Sequence, residues 1–278
     1  MTTPLTLLTN DVPLSNDTLT QDEQVLAGYL ETMKQASEDA SYSFSESSLF
    51  LPHDNEMLTT VKSVVGEKIK NKTPKYIVVV GIGGSNLGTK AVYDALYGYY
   101  DVVDTRRRPV MLFLDTVEAL FLEKVIMLLQ REVTDQSDML IFLVSKSGGT
   151  TETIANGEIL LSALTPTFPD ILRRVIAISD ESAPLHTEAV AKGIVTLTLP
   201  AKVGGRYSVL SAVGLAPLFA CGVDIDALVS GAREMEDVCL TSSMVDNPAI
   251  QSALTLYAAM HSGHTIHDTF IFAPTLES

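Results

Sequence analysis

Met139-Leu140-Ile141-Phe142-Leu143-Val144-Ser145-Lys146-Ser147-Gly148-Gly149-Thr150-Thr151-Glu152-Thr153 is the stretch on which the fold turns. Residues 139–144 are continuously apolar, as expected of a parallel strand buried on both faces. From Thr150 to about residue 164 the chain reads as a helix, whose first-turn N–H groups lack internal partners and point back at the loop. An anion held there would receive those donors and the positive end of the helix dipole, and the two glycines let the backbone come close. Lys146 precedes the glycines and no G-x-x-x-x-G-K-[ST] occurs, so a nucleotide P-loop is disfavoured. An ordinary strand-to-helix turn with hydroxyl caps is the plainer reading of the same residues.

A second loop of this kind follows Tyr76–Val80, another buried-strand run. Gly81-Ile82-Gly83-Gly84-Ser85-Asn86-Leu87-Gly88 leads there into a helix of about ten residues. Alone it is weak evidence, because strand-to-helix turns are glycine-rich for steric reasons and the G-x-G-x-x-G spacing fails at Asn86. The pair says more. In an open parallel sheet, ligands sit outside the carboxyl ends of strands where the strand order reverses, so two polar glycine loops at such ends can face one ligand.

Further apolar runs at Val110–Leu114, 175–178 and 194–199 join 76–80 and 140–144 with helical patterns between them. The expectation is an α/β fold, a doubly wound parallel five-stranded sheet with helices on both faces. Thr20-Gln21-Asp22-Glu23 has capping-box spacing and is expected to open a helix to about residue 40, with a second helix over 55–70. After the sheet, 207–220, 224–240 and 248–260 read as helices, the last with Asn247 as cap and Pro248 in its first turn. The segments expected are 1–70, N-terminal helices; 71–202, the α/β domain; and 203–278, linking helices ending in Thr269-Phe270-Ile271-Phe272, the first strand of a second α/β domain.

Apolar residues make up 46% of the 278, enough for a sizeable core. The longest near-apolar run, 209–223, is shorter than the about 18 residues of a membrane span and is broken by Pro217. Met1-Thr2-Thr3-Pro4 lacks the basic and apolar regions of a secretory signal, so a cytoplasmic protein is expected. A net charge of −15 argues against nucleic acid and anionic membrane as partners, and Arg106-Arg107-Arg108, just before Pro109, reads as a solvated loop. Cys221 and Cys239 have no metal spacing and read as two reduced, buried thiols. His261, His264 and His267 straddle a helix end and Gly263, so neither they nor His53 and His186 predict a metal, and no cofactor is expected.

The strings GIGGSNLG at 81–88, SKSGGTTET at 145–153 and VGGRYSVLSAVGL at 203–215 resemble, in order and separation, three landmarks of the glucose-6-phosphate isomerase family. The resemblance runs from about residue 45 to the last residue. It implies two sugar-isomerase-type domains, a homodimer when full length, and reversible interconversion of glucose 6-phosphate and fructose 6-phosphate through an enediolate, in glycolysis and gluconeogenesis. Carried onto matching positions, it makes Ser145, Lys146, Ser147 and Thr150 the binders of a hexose 6-phosphate's phosphate group. It sets Gly84 and Ser85 beside the sugar and makes Arg206 the catalytic arginine. That role suits an arginine, which keeps its proton and can turn a fork of donors toward developing oxyanions. Many family members have threonine at position 147 and a bulkier residue at 148; Ser147 keeps the hydroxyl. The family's general base, a glutamate in a G/A-E-S-x-G-K segment shortly after a strand like 269–272, has no counterpart here, and Glu277-Ser278 repeats only two letters of it. The chain thus reads as truncated before the base and inactive alone. The alternative is a non-catalytic phosphosugar-binding sensor domain.

Overall fold

Runs of valine, isoleucine and leucine that can bury both faces form one sheet in the computed structural model, which describes residues 16–98, 109–242, 246–266, 268–269 and 271. The strands are β1 Tyr76–Val80, β2 Val110–Leu114, β3 Met139–Val144, β4 Val175–Ser179 and β5 Val195–Thr198. All pairings are parallel, in the order β2-β1-β3-β4-β5. Every residue of β1, β3 and β4 is buried, which explains why these three strands do not alternate apolar with polar, whereas the edge strand β5, Val195-Thr196-Leu197-Thr198, does and is only partly buried. The chain leaves β1 for the edge at β2 and then returns to β3 on the other side of β1. Strand order therefore reverses between β1 and β3, and their carboxyl ends, Val80 and Val144, flank the switch point.

Helices cover both faces, as expected. Residues Leu122, Val125 and Leu129 of α4 (Ala119–Glu132), Leu160 and Leu164 of α5 (Thr151–Leu164) and Ala189 of α6 (Pro184–Ala191) share one core with Val78, Leu112, Ile141 and Ala177. Each large aliphatic side chain buried there contributes about 1.5–3 kcal/mol of hydrophobic stabilisation. On the other face α7 (Ala212–Ala220) packs on β1 and against α2 (Asn55–Ile69) and α3 (Leu87–Tyr97). The Asp54 carboxylate caps α2, accepting from the Met57 N–H at 2.8 Å.

The amino ends of β1 and β3 are joined by Asp138, whose side chain is fully buried. It pairs with Lys72 at 2.6 Å and Lys75 at 3.1 Å and accepts from the Thr134 N–H and hydroxyl at 3.2 Å. Burial alone would push this carboxyl up; the two lysines and Thr134 outweigh it and hold it well below the carboxylate range.

By internal contacts the chain divides into a unit of Asp54–Asp226 with Ile271–Ser278, which holds the sheet, and a unit of Met1–His53 with Ala227–Phe270. The latter carries α1 (Asn16–Glu38), most of α8 (Ile225–Cys239) and α9 (Pro248–His261). Within it Leu30 packs on Ile250 and Leu254, His53 meets Glu236 at 2.9 Å, and Asn247 caps α9 by accepting from the Ile250 N–H at 3.0 Å. Cys221 and Cys239 are free thiols; Cys221 is buried as expected, whereas Cys239 is only partly buried.

Two expectations need correction. α1 begins at Asn16, ahead of Thr20, so the capping-box spacing lies inside the helix and does not start it. Residues 207–211 are not α-helical: a 3-10 turn at Gly205–Tyr207 is followed by a bend whose Ser211 hydroxyl donates to Ser208 O at 2.6 Å, and α7 starts only at Ala212. Such serine-to-backbone bonds compete with helix. The expected strand at 270–272, the triplet 106–108, His267 and Glu277-Ser278 lie outside the described residues apart from Ile271. Among the described residues no helix is long and apolar enough to cross a membrane, and no three His, Cys, Asp or Glu side chains gather as for a metal ion.

Candidate functional site

The loops that leave β1, β3 and β4 meet the segment after β5 around a cleft of ≈ 490 Å³ at the carboxyl end of the sheet. Gly81 lets the first loop press on the end of β3: a Cβ there would stand 2.9 Å from Val144 O. The loop is closed by the buried Asn86, whose amide donates to Gly81 O at 2.7 Å. Gly84 and Ser85 reach the cleft from it.

The loop after β3 turns through Gly148 at φ +65°, the left-handed region that glycine alone enters freely. A side chain there would also strike Leu185 N, 2.7 Å away. Lys146, Ser147 and Thr150 line the cleft, and Thr150 stands at the N-cap of α5. Its hydroxyl does not cap the helix; it lies 2.9 Å from the Ser145 hydroxyl instead. The first turn of α5 thus has no side-chain cap beside a lysine and two hydroxyls, which is an arrangement for an anion and not the capped turn that the plainer reading predicts. Ser145 is buried behind Thr150, at 1% exposure, and does not line the cleft.

Arg206 occupies the turn Gly205–Tyr207, whose first residue lines the cleft. Its side chain is exposed and has no hydrogen bond or ion pair with any described residue. The turn is fixed on two sides. Gly84 and Gly205 touch backbone to backbone, so that a Cβ on Gly84 would fall 2.3 Å from the Gly205 carbonyl carbon, and the Ser208 hydroxyl reaches Gly84 O at 3.0 Å. On the other side the Lys146 ammonium donates to Val203 O at 2.8 Å.

Sequence reasoning missed the loop after β4. Asp180 and Ser182 line the cleft because β4 lies next to β3, and the Asp180 N–H donates to Lys146 O at 3.1 Å. The Asp180 carboxylate accepts from the Ser182 hydroxyl at 2.6 Å and the Ser182 N–H at 2.8 Å. These bonds, with Lys146 and His186 nearby, hold its pKa below the ordinary carboxylate value, so it stays ionised and is a weak base. The signal available was Ser179-Asp180, a polar pair ending an apolar strand.

Residues 31–278 match the family model described as phosphoglucose isomerase. Over 234 residues, 82% of this chain, the sequence is 32% identical to a glucose-6-phosphate isomerase of Bacillus anthracis. It has the same identity and coverage with one of Bacillus cereus (strain B4264). The chain spans about half, 50%, of the length of these curated relatives. A solved structure of a hypothetical protein from Thermus thermophilus superposes with a TM-score of 0.68 at 30% identity, over 88% of this chain and 56% of that one. A glucose-6-phosphate isomerase from Chlamydia trachomatis, 21% identical, shares the fold at a TM-score of 0.65, over 85% of this chain and 48% of its own. With the three glycine-bearing loops gathered at one switch point and a family match across most of its length, this chain belongs to the phosphoglucose isomerase family.

Proposed function

We propose that the cleft binds a hexose 6-phosphate and serves the reversible interconversion of glucose 6-phosphate and fructose 6-phosphate in glycolysis and gluconeogenesis. In this reading the phosphate sits at the N-terminus of α5 against Lys146, Ser147 and Thr150, with Ser145 holding the Thr150 hydroxyl in place. The sugar extends toward Gly84 and Ser85. The observation that carries it is the N-terminus of α5, free of a side-chain cap, whose N-cap residue Thr150 lines the cleft beside those side chains. Each charge-assisted contact to phosphate is worth about 1.5–3 kcal/mol, so a few of them offset the repulsion of a chain carrying −15.

Moving a proton between C2 and C1 of the sugar builds negative charge on two oxygens. A permanently charged fork at Arg206, carried on a turn held by Gly84 and Lys146 and swung into the cleft, would lower the energy of that enediolate more than that of the ground state, which is what accelerates the step. The ionised Asp180, occupied by Ser182, is a poor candidate for the proton-transferring base. The proposal extends to a cytoplasmic setting, to residues 203–278 carrying linking helices and the first strand of a second sugar-isomerase-type domain, and to a homodimer when that domain is whole.

Isothermal titration of the chain with glucose 6-phosphate, inorganic phosphate and glucose tests the binding. Hexose 6-phosphate is expected to bind more tightly than phosphate, and glucose far more weakly than either. Equal affinity for glucose and its phosphate, or no heat with the phosphate ester, overturns the cradle. A coupled dehydrogenase assay is expected to register no turnover by this chain alone, and sustained conversion would make Asp180 more than a bystander.

A further inference from the structure

We propose that Lys146 is a positioning residue, whose ammonium clips the Arg206 turn to the phosphate-binding loop so that the sugar's two ends are sensed together. This rests on the hexose-phosphate reading above and adds to it how the arginine is placed. Lys146 is tied at both ends. Its carbonyl accepts the Asp180 N–H at 3.1 Å, which fixes the loop after β3 against the loop after β4. Its ammonium, at the far end of the stem, donates to Val203 O at 2.8 Å, three residues before Arg206. A single residue thereby links the loops that follow β3, β4 and β5.

The geometry gives the Arg206 turn no other charged anchor among the described residues. Arg206 itself has no partner, and the other attachments are the Gly84–Gly205 backbone contact and the Ser208 hydroxyl on Gly84 O. Both attachments tie the turn to the loop after β1; only the Lys146 ammonium ties it to the loop that takes the phosphate. A lysine acting as a plain phosphate ligand has no need of the Val203 carbonyl. An ammonium has three donors, so the bond to Val203 leaves two for an anion in the cleft, and drawing that anion in also fixes the position of the turn.

The test is Lys146→Met, which keeps the stem and removes every donor, with Lys146→Gln carried alongside so that one folded variant, checked by circular dichroism, decides. Hydrogen exchange without ligand is read at the amides of Tyr207 and Ser208, which bond to Gly204 O and Gly205 O within the turn. They are expected to exchange about tenfold faster in the variant. Titrations with glucose 6-phosphate and with inorganic phosphate are then made on Lys146→Met, Arg206→Ala and the double variant. The loss for the sugar phosphate is expected to exceed the loss for inorganic phosphate, and the excess to vanish when Arg206 is already gone, a coupling of about tenfold. Unchanged exchange at Tyr207 and Ser208 overturns the clip, whatever the binding does. Equal losses for both ligands, fully retained in the Arg206→Ala background, return Lys146 to the role of a simple phosphate ligand. A wild-type chain that binds no hexose 6-phosphate refutes the cleft reading itself, and the exchange data then decide the clip separately.

Discussion

Replacing Gly84 with alanine probes the joint on which the site depends. The added Cβ would fall 2.3 Å from the Gly205 carbonyl carbon and 2.6 Å from its Cα and oxygen, whereas ordinary contact begins at 3.4 Å. All three obstacles are backbone, so no side chain can rotate away and the two loops must separate by roughly 1 Å. Overpacking of this kind costs about 1–3 kcal/mol. The separation also breaks the bond from the Ser208 hydroxyl to Gly84 O, now 3.0 Å, for about 0.5–1.5 kcal/mol more. A total of about 1.5–4.5 kcal/mol corresponds to a fall in melting temperature of roughly 3–18 °C for a domain of this size. In the hexose-phosphate reading, displacing the turn removes the contact from Arg206, a further loss of about 10–100-fold in affinity. Gly149→Ala is the control: it has nothing within 4 Å of its Cβ position and is expected to change stability by no more than about 1 kcal/mol. Thermal unfolding followed by circular dichroism and titration with glucose 6-phosphate are the assays. A Gly84→Ala chain that melts like Gly149→Ala would refute the claim that backbone contact joins these loops.

Arg206→Lys is expected to leave stability within about 0.5 kcal/mol, because the side chain is exposed and unpaired, yet to lower kcat in an enzyme with a complete site by about 10²–10³-fold, since an ammonium cannot present a planar fork. Steady-state kinetics beside a melting curve separates the two effects, and near-normal kcat would remove Arg206 from the reaction centre. Asp138→Asn is expected to destabilise at pH 7 by about 1–3 kcal/mol, with the half-exposed lysines keeping their own hydration and limiting the damage. Because the folded-state pKa of Asp138 is depressed, its contribution is complete above the unfolded value of about 3.9 and is lost as pH falls toward the folded value. The gap between wild type and variant in urea unfolding should therefore be wide at pH 7 and narrow progressively below about pH 4; a gap independent of pH would contradict the assignment.

Strands were the most legible part of the chain, since Tyr76–Val80 and 139–144 carry no polar residue beyond the Tyr76 hydroxyl and burial on both faces leaves that trace in composition alone. Helix ends were less so. Thr20 and Glu23 have the spacing of a cap, but a helix can run through such a pair when residues before it are also helical. Tyr207-Ser208-Val209-Leu210 scans as apolar helix, and only the folded chain reveals Ser208 and Ser211 bonding to the backbone of the bend. In the cleft, Gly84, Ser85, Lys146, Ser147 and Thr150 were named from motifs, and the structure brings these five together. Asp180 was not, because its place depends on β4 lying beside β3, and neighbour relations between strands are written in no local pattern. The commitment of the Lys146 ammonium to Val203 was invisible for the same reason, being a contact across 57 positions.

The bond from Ser208 to Gly84 O spans 124 positions, which is most of the α/β unit. A contact so distant along the chain closes a long loop, and the joint it makes between the loops after β1 and β5 has no counterpart in the unfolded chain. A ligand that binds in the cleft binds the folded chain and not the unfolded one, so it draws the equilibrium toward the fold as its concentration rises. Occupancy of this site and stability of the fold are thermodynamically linked, so the melting temperature should rise with ligand concentration.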